Sequence, residues 1–214
     1  MDHHIGLIGD VHAQDELLAL VLRELSRQRV GQILCTGDIV DGTGDPDRCC
    51  ALLLAAGAAA VRGNHERWCL EDQMRSLPQA HRRGALLEPS LRFLGALPAT
   101  QVFPDHGLLL CHGVGDNDMA RLKPDDEGYA LQHNDDLRLL LERRDLRFVV
   151  AGHTHCRMVR TLQQVTFVNP GSLIPGQDCG FMVLSPVPGR VRIYAGLESG
   201  APTLLEEVEI RQDH

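Results

Sequence analysis

The sequence predicts an α/β fold in which two sheets carry helices on their outer faces, and three observations point there. In the N-terminal half, short apolar runs alternate with helical patterns, the mark of β-α-β units around a sheet covered on both faces. In the C-terminal half, apolar runs follow one another with Gly or Pro between several of them. Finally, 43% apolar and 23% charged residues over 214 positions supply a sizeable core and exclude intrinsic disorder.

Residues 5–8, Ile-Gly-Leu-Ile, read as a buried strand. Residues 16–27 follow with Leu17, Leu18, Val21, Leu22 and Leu25 at helical spacing. A second strand is expected at 32–36, a second helix at 46–56 and a third strand at 58–61. Pro46 suits a first helical turn, where its missing N–H costs nothing. Runs at 101–103 and 108–111 flank Pro104-Asp105-His106-Gly107, a hairpin signal. Residues 136–144 are helical in pattern, and strands are expected at 148–150, 158–162, 165–168, 181–184 and 191–194. Their short connections predict antiparallel pairing. Residues 113–133 are polar and Asp-rich and read as a long loop, a place where function often resides.

The length suits a single domain, 1–214. A formal charge of −8 speaks against a dedicated nucleic-acid binder, which carries a basic stripe. It leaves phosphorylated small molecules open, because bound cations invert a local field. The start Met1-Asp2-His3-His4 lacks the basic region of a secretory signal. The longest low-polarity stretch, 51–61, falls short of the roughly 20 residues that span a bilayer. Seven cysteines with no Cys-x-x-Cys spacing read as free thiols in a reducing cytoplasm.

The chemistry gathers after the expected strands. Gly9-Asp10-Val11-His12 follows the first, Gly37-Asp38-Ile39-Val40-Asp41 the second, and Arg62-Gly63-Asn64-His65-Glu66 the third. His112-Gly113 and Gly152-His153-Thr154-His155 follow later ones. Strand C-terminal ends are where α/β folds collect ligand-binding groups. Carboxylate, amide oxygen and imidazole suit manganese, iron, zinc or nickel. Residues two apart in extended chain point to one side, so Asp10 acts with His12 and His153 with His155. Each motif alone has a plain reading: Gly-Asp as a turn, His112 as a satisfied core histidine, Asn64 as a helix cap, His-x-His as a surface accident. Five histidines in motifs that all follow strands favour one shared site.

The set Asp-x-His, Gly-Asp, Gly-Asn-His, His, Gly-His-x-His resembles the calcineurin-like metallophosphoesterases, over roughly residues 5–173. Asn169-Pro170-Gly171-Ser172 is similar to the small bacterial phosphodiesterase branch. The resemblance implies a four-layer α-β-β-α sandwich of two mixed sheets flanked by helices. It implies a first metal on Asp10, His12, Asp38 and His155, and a second on Asp38, Asn64, His112 and His153, with Asp38 bridging. Two divalent ions, manganese first with iron, zinc or nickel as alternatives, would lie roughly 3.5–4 Å apart and clamp an in-line displacement. A hydroxide bridging them would be the nucleophile on a phosphomonoester or phosphodiester. His65 would be the general acid, and Asp41 its orienting partner; Asp41-Gly42-Thr43-Gly44 reads equally as an ordinary turn.

Gly42 stands where phosphoprotein phosphatases carry a phosphate-gripping Arg, and Ala13 where they carry Gly. Both lower a protein Ser/Thr phosphatase reading, which stays an alternative beside a dinucleoside polyphosphate hydrolase and a non-catalytic scaffold of the same fold. Arg62 and Arg67 are substitute cations or solvated arginines. Asp116, Asp118, Asp125 and Asp126 face solvent, and His133 sits on a surface helix. The partner expected is a small phosphate ester, with no nucleic-acid duplex, no membrane and a cytoplasmic location.

Overall fold

A computed structural model describes residues 4–210. Strands β1 (Ile5–Ile8), β2 (Gln32–Cys35) and β3 (Ala59–Ala60) run parallel, joined through helices α1 (Asp15–Arg27) and α2 (Pro46–Ala55). Helices α3 (Asn64–Leu70) and α4 (Glu88–Ala96) follow. Then come β4 (Thr100–Phe103), β5 (Leu108–Cys111), α5 (Tyr129–Gln132), α6 (Asp135–Leu141) and β6 (Phe148–Val150). The chain continues through β7 (Met158–Leu162), β8 (Val165–Asn169), β9 (Gly180–Ser185), β10 (Arg190–Ala195) and β11 (Thr203–Glu209). One sheet has the order β11-β10-β9-β1-β2-β3, the other β4-β5-β6-β8-β7. Both are mixed: β1 pairs in parallel with β2 and antiparallel with β9, while β5, β6 and β8 run parallel between antiparallel neighbours.

Alternation along the strands builds three apolar layers. Leu7, Leu34, Leu108, Leu110, Phe148, Val150, Met182 and Leu184 pack between the sheets. Their neighbours Ile8, Cys35, Phe181 and Val183 turn outward against α1, α2 and α4, and Leu109, Val149 and Phe167 turn outward against α6. Period-two alternation with apolar residues on both faces is what a doubly covered sheet requires. On α1, Leu18, Val21 and Leu25 form the buried stripe. Gly6 lets that helix approach, since a Cβ there would stand 2.8 Å from the Leu25 methyls. The α-β-β-α sandwich is therefore present.

Several elements differ from the sequence reading. β6 and β8 pair in parallel rather than antiparallel, because β7 takes the edge of the sheet and the chain returns along β8 in the direction of β6. Helix α6 stops at Leu141, three residues early, and the charged run that follows leaves the helix, Arg143 pairing with Asp145. The strand β11 and the helix α4 were not legible. Among the described residues no helix is long and apolar enough to cross a membrane, and all seven cysteines are free, five of them buried.

Phe181 is fully buried and stacks on Tyr194 with ring centroids 4.7 Å apart. Phe181→Ala is expected to cost about 3–5 kcal/mol in urea denaturation; a loss below about 1 kcal/mol would contradict this packing.

Candidate metal centre

Parallel strands from both sheets end at one edge. β1, β2 and β3 deliver Asp10 and His12, Asp38 and Asp41, and Asn64 and His65; β5 and β6 deliver His112, and His153 and His155. The turns are unusual. His12, Asp38, Asp41, His153 and His155 all hold left-handed backbone, with φ of 46°, 45°, 64°, 65° and 55°. Each such residue costs about 1–2 kcal/mol, tolerated where the surroundings over-determine it. The carbonyl of Asp38 accepts from the N–H groups of Val11 and His12 at 3.0 and 2.7 Å. Buried Glu66 accepts from the backbone N–H groups of Ile39, Val40 and Gly63 at 2.6, 3.0 and 2.9 Å. Gly63 and Gly152 must lack a side chain, because a Cβ would collide with Asp38 and Asp10 respectively.

Two groups of potential ligand atoms result, each within 4.8 Å of one another: Asp10, His12, Asp38 and His155, and Asp38, His112 and His153. Asn64 Oδ1 joins the second, 2.9 Å from His112 Nε2 and 3.0 Å from His153 Nδ1. His153 and His155 do not act together as alternation predicts: their left-handed backbone sends the two rings to different groups. Three rings are oriented from behind. His12 Nδ1 donates to the Asp41 carbonyl at 2.8 Å, His112 Nδ1 to the Thr36 carbonyl at 2.8 Å, and His155 Nδ1 to Gln177 Oε1 at 2.9 Å. That fixes the tautomer of each ring when neutral and turns each Nε2 inward. His12 Nε2 and His155 Nε2 then lie 3.0 Å apart, with Asp10 Oδ2 3.2 Å from the latter, so a proton or a cation must stand between them. Asp10 Oδ2 and His153 Nε2 are buried and find no hydrogen-bond partner among the described residues. Orphaned buried acceptors are what a divalent cation would satisfy, and the donor set of carboxylate, imidazole and amide oxygen fits one.

Charge is balanced without a cation by the histidines. Burial alone would raise Asp38, but His112, His65 and His12 hold it below the usual carboxylate range. Burial pulls His112 down; Asp38 at 3.3 Å and Asp10 overcome it and push the ring up to about 10. Burial, with His112 beside it, lowers His153 to about 4. Burial lowers His12 too, against the pull of Asp38 and Asp10.

With this geometry in view, sequence comparison decides the family. The model of the calcineurin-like phosphoesterase superfamily domain matches residues 4–185. The chain belongs to that superfamily. It is 30% identical over 103 residues to MJ0912 of Methanocaldococcus jannaschii, covering 44% of this chain and 42% of that one. It is 36% identical over 69 residues to serine/threonine-protein phosphatase 1 of Salmonella typhimurium, 32% of each chain. The chain thus spans less than half the length of these relatives. Among solved structures, a metallophosphoesterase from Sphaerobacter thermophilus superposes with a TM-score of 0.69 at 22% identity, over 93% of this chain and 91% of that one.

Beside the two groups stands a pair. His65 Nδ1 donates to Asp41 Oδ2 at 2.8 Å, and His65 Nε2 lies 3.9 Å from Asp38 Oδ2. Burial would lower His65, but the Asp41 bond and the Asp38 charge raise it. A phosphoprotein-phosphatase Arg could not stand at Gly42 on this backbone, since a Cβ there would strike the His12 carbonyl. Arg67 forks onto Asp118 at 2.7 and 2.8 Å, so Asp118 braces the 113–128 loop rather than facing solvent alone. Arg62 has no carboxylate partner among the described residues, and with Arg67 and His112 it lines a cavity of about 200 Å³. His133 is exposed at the end of α5. The sequence reading passed over Glu66, Thr36, Gln177, Arg75 and His81; Glu66 alone had a signal, its place in Gly-Asn-His-Glu.

His112 gives a pH prediction. Its folded value lies above its unfolded one, so in metal-free protein the His112–Asp38 pair stabilises fully below about pH 6.5 and loses its effect as pH rises through about 10. A cation must displace that proton. Manganese binding at pH 7, measured calorimetrically in buffers of different ionisation enthalpy, should release about one proton; binding without proton release would refute the assignment.

Proposed function

We propose that this superfamily member is a dinuclear metal-dependent phosphoesterase acting on small phosphomonoesters or phosphodiesters. The observation that carries the reading is the convergence of ligand atoms from both sheets, two of them orphaned, into two groups that share Asp38. Asp10, His12, Asp38 and His155 would hold one divalent cation, and Asp38, Asn64, His112 and His153 the other. When bound, such a pair supplies activated water and neutralises charge on the phosphoryl oxygens. With two carboxylates among the ligands, the loaded cleft is net positive and attracts an anionic ester despite a chain charge of −8. Manganese is the first candidate metal.

The chain's own residues supply the rest. Arg62 offers an unpaired guanidinium in the cavity beside His112, suited to gripping a substrate phosphate. His65 holds a proton at Nε2, facing the cleft, for the leaving alkoxide. Asp41 keeps Nδ1 protonated and the ring oriented. A protein Ser/Thr phosphatase is the second reading, favoured by this pair, which suits a poor leaving group, and by the likeness to the Salmonella enzyme.

Metal-quantified protein with manganese should hydrolyse bis-p-nitrophenyl phosphate or p-nitrophenyl phosphate. No turnover with manganese, iron, zinc or nickel would end the proposal. Asp38→Ala should lose more than about 100-fold, beyond the loss of a mere supporting partner, while keeping its far-UV circular dichroism. His65→Ala should lose about 100-fold or more on phenyl phosphate and far less on nitrophenyl esters. A phosphoserine peptide turned over faster than phenyl phosphate would favour the second reading.

A further inference from the structure

Residues 71–87, between α3 and α4, hold no strand and one short 3-10 turn, and most of their side chains face solvent. Arg75 does not. Its side chain is 5% exposed and reaches back to Asp41, whose side chain is 2% exposed. Nη1 donates to Asp41 Oδ1 at 2.8 Å and Nη2 to Oδ2 at 2.9 Å. Two further donors go to backbone, Nη1 also to the His81 carbonyl and Nε to the Gln73 carbonyl, both at 2.6 Å. His81 adds its N–H to Asp41 Oδ1 at 2.7 Å, and its Nδ1 accepts from the Asp41 N–H at 3.0 Å. With His65 on Oδ2, each oxygen of Asp41 takes two hydrogen bonds, the full capacity of a carboxylate.

We propose that Arg75 is a positioning residue for the proton donor. Its fork sets the plane of the Asp41 carboxylate so that Oδ2 meets His65 Nδ1, and His65 in turn keeps Nε2 turned into the cleft.

A carboxylate rotates in a broad, roughly two-fold well about its last torsion, and besides His65 it is held by the His81 N–H, from a loop residue whose carbonyl Arg75 itself grips. A bidentate guanidinium defines its plane, and an ammonium cannot reproduce the fork. Burial of both groups leaves no water to substitute. Arg75 acts through Asp41, because four of its five N–H donors go to Asp41 and two carbonyls. The kinetic consequence rests on the phosphoesterase reading; the orientation of His65 does not.

The two are therefore tested separately. In metal-free protein at a pH where the ring is neutral, nitrogen NMR of labelled histidine should show His65 as the Nδ1–H tautomer. Arg75→Met should convert it to a mixture, and Arg75→Lys should fall between. In metal-loaded enzyme the kcat/KM ratio of p-nitrophenyl phosphate to phenyl phosphate should rise about tenfold in Arg75→Met, part of the range open to general acid catalysis. Metal content should be unchanged, and Arg75→Met should add nothing further to His65→Ala. An unchanged tautomer with an unchanged ratio overturns the proposal. So does an equal loss on both esters with the tautomer intact, which marks a purely structural residue. If the wild type turns over neither ester, the phosphoesterase reading fails and the tautomer alone decides the role of Arg75. Should Arg75→Met fail to fold, Arg75→Lys answers through the same two measurements.

Discussion

A buried carboxylate that must be shared is the constraint the rest of the molecule serves. Asp38 is 1% exposed, on a left-handed backbone, and belongs to both groups of ligand atoms. A lone ionised carboxylate in such surroundings would be prohibitively costly, so positive or hydrogen-bonding groups must surround it. His112, His12 and His65 do so from three elements, and the His65 N–H adds a bond to Oδ1 at 3.0 Å. Those partners come from both sheets. Meeting at one carboxylate fixes where β2, β3 and β5 must end relative to one another.

Glu66 plays the complementary part beneath the site. It is completely buried, and burial beside Asp38 pushes it up to about 7 although three backbone N–H groups favour its charged form. Those bonds tie the turn after β2 to the turn after β3, so the left-handed conformations at Asp38 and Asp41 are held from below as well as from the cleft. A segment carrying several strained residues keeps its shape only through such cross-links.

Much of the layer architecture was legible because doubly covered strands leave short apolar runs that contrast with their polar turns. The groups at the strand ends were legible for the same reason: Gly, Asp, Asn and His stand out against Val, Ile and Leu. Other parts left no such contrast. β11 has most of its residues exposed and reads Thr-Leu-Leu-Glu-Glu-Val-Glu, with no alternation. The parallel pairing of β6 with β8 depends on β7 taking the sheet edge, which periodicity does not reveal. Arg75 and His81 lie in an irregular stretch, where an Arg that reaches a buried Asp looks like any solvated Arg. Gln177 and Thr36 are likewise ordinary in sequence and gain meaning only through the ring nitrogen that each fixes or the carbonyl it presents.

The two departures from the phosphoprotein phosphatase pattern, Ala13 and Gly42, stand where the first two turns of the site touch. A Cβ at Gly42 would strike the His12 carbonyl and stand 3.4 Å from the Ala13 methyl. The obstacle is the His12 backbone, so only glycine fits at 42 whichever side chain stands at 13. A side chain at position 42 needs the turn after β1 to move as a whole. The way the first two turns close on each other thus denies an arginine to this part of the rim, and any cation there has to be lent by a different turn.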